Sequence, residues 1–167
     1  MVLVLLFLSS GVYADDVLDG YEAYYRNKDF PKAALLYEKA CNSGSALGCR
    51  RLAEMYEDGK GVKQDYVKAA SLYEKGCNGN EVPACSYLGV MYTVGKGDVK
   101  QDYAKAGLWL EKGCNGDDAL ACILLGVMYQ FSQGGQQKAL ELFKKACDMK
   151  EEKGCKHYAD LKKELGQ

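Results

Sequence analysis

The residues best equipped for chemistry are eight cysteines: Cys41 and Cys49, Cys77 and Cys85, Cys114 and Cys122, Cys147 and Cys155, with the members of every pair eight positions apart. Thiols in such a pattern could bind metal, exchange electrons or form structural disulfides. Zinc sites usually place cysteines about two to four residues apart and often recruit histidine. These pairs are wider, and His157 is the sole histidine, so no metal site is expected. Redox catalysis needs an activated Cys-x-x-Cys pair, which is absent. Structural disulfides are the remaining use. Many connectivities are open to eight cysteines, and the logic of a repeat selects the local one, each first cysteine bonded to its own second.

The elements that must position these cysteines follow from the flanking residues. Successive first cysteines are 36, 37 and 33 residues apart, within the range of helix-turn-helix repeats. Before each first cysteine the sequence repeats Lys-Ala (Lys32-Ala33, Lys68-Ala69, Lys105-Ala106, Lys138-Ala139). It also repeats a bulky residue (Tyr37, Tyr73, Leu110, Phe143) and a small one (Ala40, Gly76, Gly113, Ala146). Spacings of three and four put these on one face of a helix, here called helix A. After each second cysteine come Leu52, Leu88, Leu125 and Tyr158, then Met55, Met91 and Met128, and Tyr56, Tyr92 and Tyr129. They make the core stripe of a helix B, with the methionines as packing residues and not a ligand set. Asn42-Ser43-Gly44, Asn78-Gly79-Asn80 and Asn115-Gly116-Asp117 mark a turn between the helices. A turn is required, because eight residues of continuous helix rise about 12 Å, while bonded cysteines hold their Cα atoms roughly 4.4–6.8 Å apart.

With 22 basic and 23 acidic residues, the chain has no global pull toward nucleic acid or anionic membranes. No basic tract with interleaved aromatics suggests nucleic-acid binding. Residues 1–14, MVLVLLFLSSGVYA, read as a signal peptide cleaved before Asp15. They are too short to span a bilayer, which takes about 20 residues, so no membrane span is expected in the mature chain. An exported chain with an even cysteine count fits an oxidising compartment, secreted or periplasmic. The expected organisation is a signal peptide over 1–14, a capping helix over 15–29, in which Tyr25 stands where Tyr56 does, three repeats over 30–64, 65–100 and 101–135, and a terminal repeat over 136–167. The fold class is all-α, an array of αα-hairpins, each stapled by one disulfide.

The arrangement K-A-x3-Y-x2-A/G-C-x7-C-x2-L, with its Gly-Lys-Gly connections at 59–61 and 95–97, resembles Sel1-like repeats. The cysteine staple resembles the Helicobacter cysteine-rich protein family. The resemblance implies a right-handed solenoid related to tetratricopeptide repeats, and penicillin binding or weak β-lactam hydrolysis, with suspected protein or host contacts; no cofactor is expected. The residues themselves supply no serine β-lactamase motif, which would pair Ser-x-x-Lys with Ser-Asp-Asn and Lys-Thr-Gly elements: Ser71 is followed by Leu-Tyr-Glu and Ser86 by Tyr-Leu-Gly. No catalytic residue is identified.

Binding has a feature of its own. Lysines recur nine and two positions before each first cysteine: Lys32 and Lys39, Lys68 and Lys75, Lys105 and Lys112, Lys138 and Lys145. Stacked repeats would align them into two rows suited to an acidic peptide or a carboxylate-bearing peptidoglycan fragment. An extended peptide, a host or envelope protein, and a peptidoglycan fragment or β-lactam are the expected partners.

Overall fold

The computed structural model describes residues 15–167, and the expected signal peptide lies outside the described residues. Every regular element among them is helical. A helix beginning at Asp15 passes into a single π-helical turn, Glu22–Arg26. Eight α-helices follow: α1 Phe30–Asn42, α2 Ala46–Asp58, α3 Tyr66–Asn78, α4 Val82–Val94, α5 Tyr103–Asn115, α6 Ala119–Gln130, α7 Gln136–Asp148 and α8 Glu152–Glu164. Odd-numbered helices are the A helices of the sequence pattern and even-numbered ones the B helices. The chain forms two compact units, one running to residue 84 and including 96–100, the other comprising 85–95 and 101–167.

Local chemistry fixes where each helix begins. Asp29, Asp65 and Asp102 cap α1, α3 and α5 by accepting from the backbone N–H of Lys32, Lys68 and Lys105 at 3.1, 2.8 and 3.0 Å. Ser45 and Asp118 cap α2 and α6 in the same way. Neither α7 nor α8 has a side-chain cap. Between A and B helices one residue always turns left-handed: Gly44 (φ 99°), Asn80 (φ 69°), Asp117 (φ 64°) and Lys150 (φ 65°). Glycine, asparagine and aspartate tolerate that conformation; Lys150 bears its strain. The following N–H then donates to the carbonyl just before the first cysteine, from Ser45 to Ala40, Glu81 to Gly76, Asp118 to Gly113 and Glu151 to Ala146, at 2.9–3.1 Å.

This turn folds helix B back so closely that the cysteines meet. Cys41–Cys49, Cys114–Cys122 and Cys147–Cys155 are bonded with Cα–Cα distances of 4.5, 4.6 and 4.3 Å. Cys77 and Cys85 are disulfide-bonded too. Beside the sulfurs, the residues immediately preceding the two cysteines face each other as Ala40 and Gly48, Gly76 and Ala84, Gly113 and Ala121, and Ala146 and Gly154. In each pair one member is alanine and the other glycine. A Cβ added to the glycine would lie 2.7, 3.2, 2.9 or 2.6 Å from the alanine methyl opposite. Each crossing therefore holds one methyl group closely, and a second would force the neighbouring atoms to move.

The bulky helix-A residue packs next to this crossing, and Tyr37, Tyr73, Leu110 and Phe143 are all 0–1% exposed. In the first unit Tyr37 joins Ala23, Ala33, Leu52 and Met55; in the second, Leu110 and Phe143 join Leu125, Leu140 and Leu161. Tyr73 donates from its hydroxyl to Glu57 at 2.7 Å, and Glu57 also accepts from Lys96 at 2.6 Å. The hydroxyl of Tyr37 has no hydrogen-bond partner among the described residues, and burial pushes its pKa up to about 12.

Two outcomes follow from the fold. Gly48→Ala forces a second methyl into its crossing and should cost about 1–3 kcal/mol, read as a lower urea midpoint, and adding Ala40→Gly should recover only part of the loss, because the new Cβ also lies 3.0 Å from the backbone nitrogen of Cys41. Tyr37 is neutral in the folded state up to about pH 12, whereas its unfolded phenol ionises near pH 10. Its contribution to stability is full below pH 10 and lost between roughly pH 10 and 12, so Tyr37→Phe should flatten the fall in urea midpoint over that interval.

Candidate functional site

The eight lysines of the sequence pattern take up different tasks. Lys68 donates to the Tyr56 hydroxyl at 2.6 Å with its ammonium over the Tyr56 ring, and this hydrogen bond raises its pKa. Lys105 lies 5.3 Å from the centre of the Tyr92 ring, and Lys112 lies 5.7 Å from that of Trp109. Lys138 pairs with Glu141 at 3.4 Å on its own helix. Lys39 pairs with Asp16 at 2.7 Å. Lys145 donates to the carbonyl of Cys114 at 2.7 Å and pairs with Asp117 at 3.1 Å, tying α7 to the α5–α6 turn. Among the described residues Lys32 and Lys75 make no ion pair. Six of the eight cations thus have a protein partner.

The serines and the histidine are likewise accounted for. Ser86 is 3% exposed and donates to the second carboxylate oxygen of Asp118, the cap of α6, at 2.8 Å. Its hydroxyl is committed to holding that turn. Ser71 lies on an exposed face of α3. His157 is half-buried and stacks on Phe143, centroids 4.9 Å apart.

A cleft the sequence pattern did not flag lies in the second unit. It is an open groove of about 730 Å³, walled by α5 and the end of α6 and lined by Tyr103, Gly107, Leu108, Glu111, Met128 and Phe131, among others. Leu108 is 66% and Phe131 83% exposed, which is costly for large apolar side chains with no partner. Met128, expected in the core with Met55 and Met91, is only half-buried and forms part of the groove, whereas the other two are 1% exposed.

Gly107 opens the cleft. The equivalent helix-A position holds Ala34, Ala70 and Leu140 in the other repeats, and a Cβ at Gly107 would meet only the Met128 methyl, 3.9 Å away. The signal was a departure from the repeat and not a part of it. At about 100° per residue, Ala104, Gly107, Leu108 and Glu111 share one face of α5, while Lys105 and Lys112 lie roughly a quarter-turn round. Glu111 is the one charged side chain among the lining residues, and it makes no ion pair among the described residues. The arrangement suits an apolar side chain with a cation beside it.

Among the described residues no three His, Cys, Asp or Glu side chains gather to hold a metal ion, and no helix is long and apolar enough to cross a membrane.

The profile of the Sel1 repeat matches residues 19–45, 46–81, 82–118 and 119–151. Its divisions fall between the cysteines, so the Cys41–Cys49 and Cys114–Cys122 bridges each join one matched segment to the next. HcpD of Helicobacter pylori, named "Putative beta-lactamase", is 42% identical over 40 residues, 24% of this chain and 13% of that protein. HcpE of the same species, with the same name, is 40% identical over 42 residues, 25% of this chain and 12% of that protein. The chain thus matches about an eighth of the length of these curated relatives. Among solved structures, a Sel1 repeat protein from Oxalobacter formigenes superposes with a TM-score of 0.76 at 22% identity, over 85% of this chain and 60% of that one. A protective antigen of uropathogenic Escherichia coli with an SLR fold gives 0.82 at 24%, over 91% and 34%. Helicobacter pylori cysteine rich protein B gives 0.58 at 30%, over 71% and 89%.

The lysines separate by what each one holds. Asp16 has a side chain only 8% exposed, so Lys39→Met should cost about 1–3 kcal/mol by leaving that carboxylate without its cation. Lys75→Met should stay within about 0.5 kcal/mol, both measured by urea denaturation.

Proposed function

The chain belongs to the Sel1 repeat family and, within it, to the cysteine-rich Helicobacter group, and from this we propose that it is a protein-binding module that seats an extended peptide in the α5–α6 groove. The observation that carries the reading is an apolar cleft of about 730 Å³ with Phe131 and Leu108 exposed on a disulfide-stapled helix pair. Ligand sites commonly combine such an apolar lining with a few polar groups that fix orientation, and repeat arrays offer extended surfaces to peptides.

The occupant is a peptide with a bulky apolar side chain and, one or two residues away, a lysine or arginine. The apolar group fills the space over Gly107, and the cation meets Glu111. This differs from the acidic ligand that the lysine rows would select. Those rows remain a second proposal, and Lys32 and Lys75 are the members whose charges have no partner among the described residues. Disulfide bonding of all eight cysteines supports a secreted or periplasmic site of action.

Binding of penicillin or slow hydrolysis of a β-lactam rests on the names of HcpD and HcpE, each matched over about a quarter of this chain. Turnover of penicillin, or an acyl adduct on the oxidised protein by mass spectrometry, would replace the binding reading with a catalytic one.

Panning a random twelve-residue peptide display library on the immobilised, oxidised chain tests the groove. Enriched peptides should carry the apolar-basic pair. Phe131→Ala and Gly107→Leu should weaken them roughly 10- to 100-fold, the equivalent of one buried large apolar side chain. Glu111→Gln should relax the basic preference. Peptides that bind these variants as well as the parent would place the site elsewhere.

A further inference from the structure

The disulfides are not equally sheltered. Cys41, Cys49, Cys77, Cys85, Cys114 and Cys122 are each 0–2% exposed, whereas Cys147 and Cys155 are both half-buried and open to solvent. The helix that this last bridge secures is also the least supported. Among its residues only Gly154 and Leu161 are buried, and its N-cap residue Glu151 makes no side-chain cap bond. Lys150, in the turn that the bridge closes, holds a left-handed φ of 65° at a position where the other hairpins use glycine, asparagine or aspartate.

We propose that Cys147–Cys155 is a thiol-exchange site, opened by a dithiol reductant ahead of the other bridges, and that its opening releases α8. One thiolate of the reductant attacks the Cys147 sulfur, forming a mixed disulfide. The S–S bond to Cys155 breaks, and the Cys155 sulfur leaves with the electron pair as a thiolate. Cys155 lies in the first turn of α8, where the helix N-terminus favours that negative charge and makes it the better leaving group. The second thiol of the reductant, as thiolate, then attacks the mixed disulfide and departs as a cyclic disulfide, leaving Cys147 as the second thiol. Two electrons and two protons pass from the dithiol to the protein. The six buried cysteines undergo the same chemistry only after their hairpins open.

Release of α8 withdraws Leu161 and Tyr158 from the core of the second unit and uncovers Phe143 and Ala146, both 0% exposed in the oxidised state. The consequence is an apolar face on α7 that exists only after reduction. Leu125 belongs both to this core and to the lining of the groove, but the exchange is read by thiol mapping and the peptide reading by binding to the oxidised chain, so either proposal stands if the other fails.

The test treats the full oxidised chain with dithiothreitol under non-denaturing conditions, traps thiols with iodoacetamide at intervals, and maps them by peptide mass spectrometry. Cys147 and Cys155 should be alkylated at least roughly tenfold faster than any buried cysteine, which must wait for a local opening. Hydrogen exchange on the same samples should show residues 156–164 losing protection while α5 and α6 keep theirs. The double variant Cys147→Ser with Cys155→Ser should reproduce that loss with no reductant present. Reduction of another pair first, or of all pairs together, overturns the exchange site. Retained protection of α8 in the reduced protein and in the double variant overturns the release.

Discussion

The structure depends on how closely two helices can approach at the turn between them. A disulfide eight residues long in sequence demands Cα atoms about 4.5 Å apart, nearer than ordinary helix packing permits. The approach is possible only where side chains are nearly absent. The Ala–Gly pairs beside each staple meet this condition with one methyl group per crossing, and the large residue one turn earlier on helix A then fills the space that opens as the helices diverge. Staple, small pair and bulky anchor form one steric unit, and altering any of the three disturbs the others.

Around that fixed unit the surfaces have diverged. Lysines kept in all four repeats attach to a tyrosine hydroxyl, a neighbouring turn, a carboxylate or, among the described residues, nothing, according to what the adjacent helix presents. The residue seven before the first cysteine is alanine twice, glycine once and leucine once, and that variation decides whether helix A presents a filled surface or a groove. Recognition in this scaffold therefore depends on where a repeat differs from its neighbours, while stability depends on where the repeats agree.

This division explains how far the sequence could be read. Cysteine spacing, the two helical stripes and the Asn-Gly turns are strong because every repeat carries them, and they led to the helices, the staples and the buried positions of Tyr37, Leu110 and Phe143. The aspartate caps at 29, 65 and 102 repeat equally well and would have sharpened the helix starts. The groove escaped notice because its cause is one glycine at position 107, which departs from the repeat and looks like noise when aligned. The partners of the lysines were illegible for another reason: long flexible side chains choose among neighbours that only the folded packing brings within reach.

Because each described bridge closes within a single hairpin, no disulfide loop encloses another cysteine. A chain emerging end-first into an oxidising space would offer both partners of one bond before the next cysteine appears. Correct pairing is then the first pairing available, and the covalent order of the molecule can be written in the order it is delivered, without waiting for distant segments or later reshuffling. Hairpins can be added or lost whole without rewiring the bonds of those that remain.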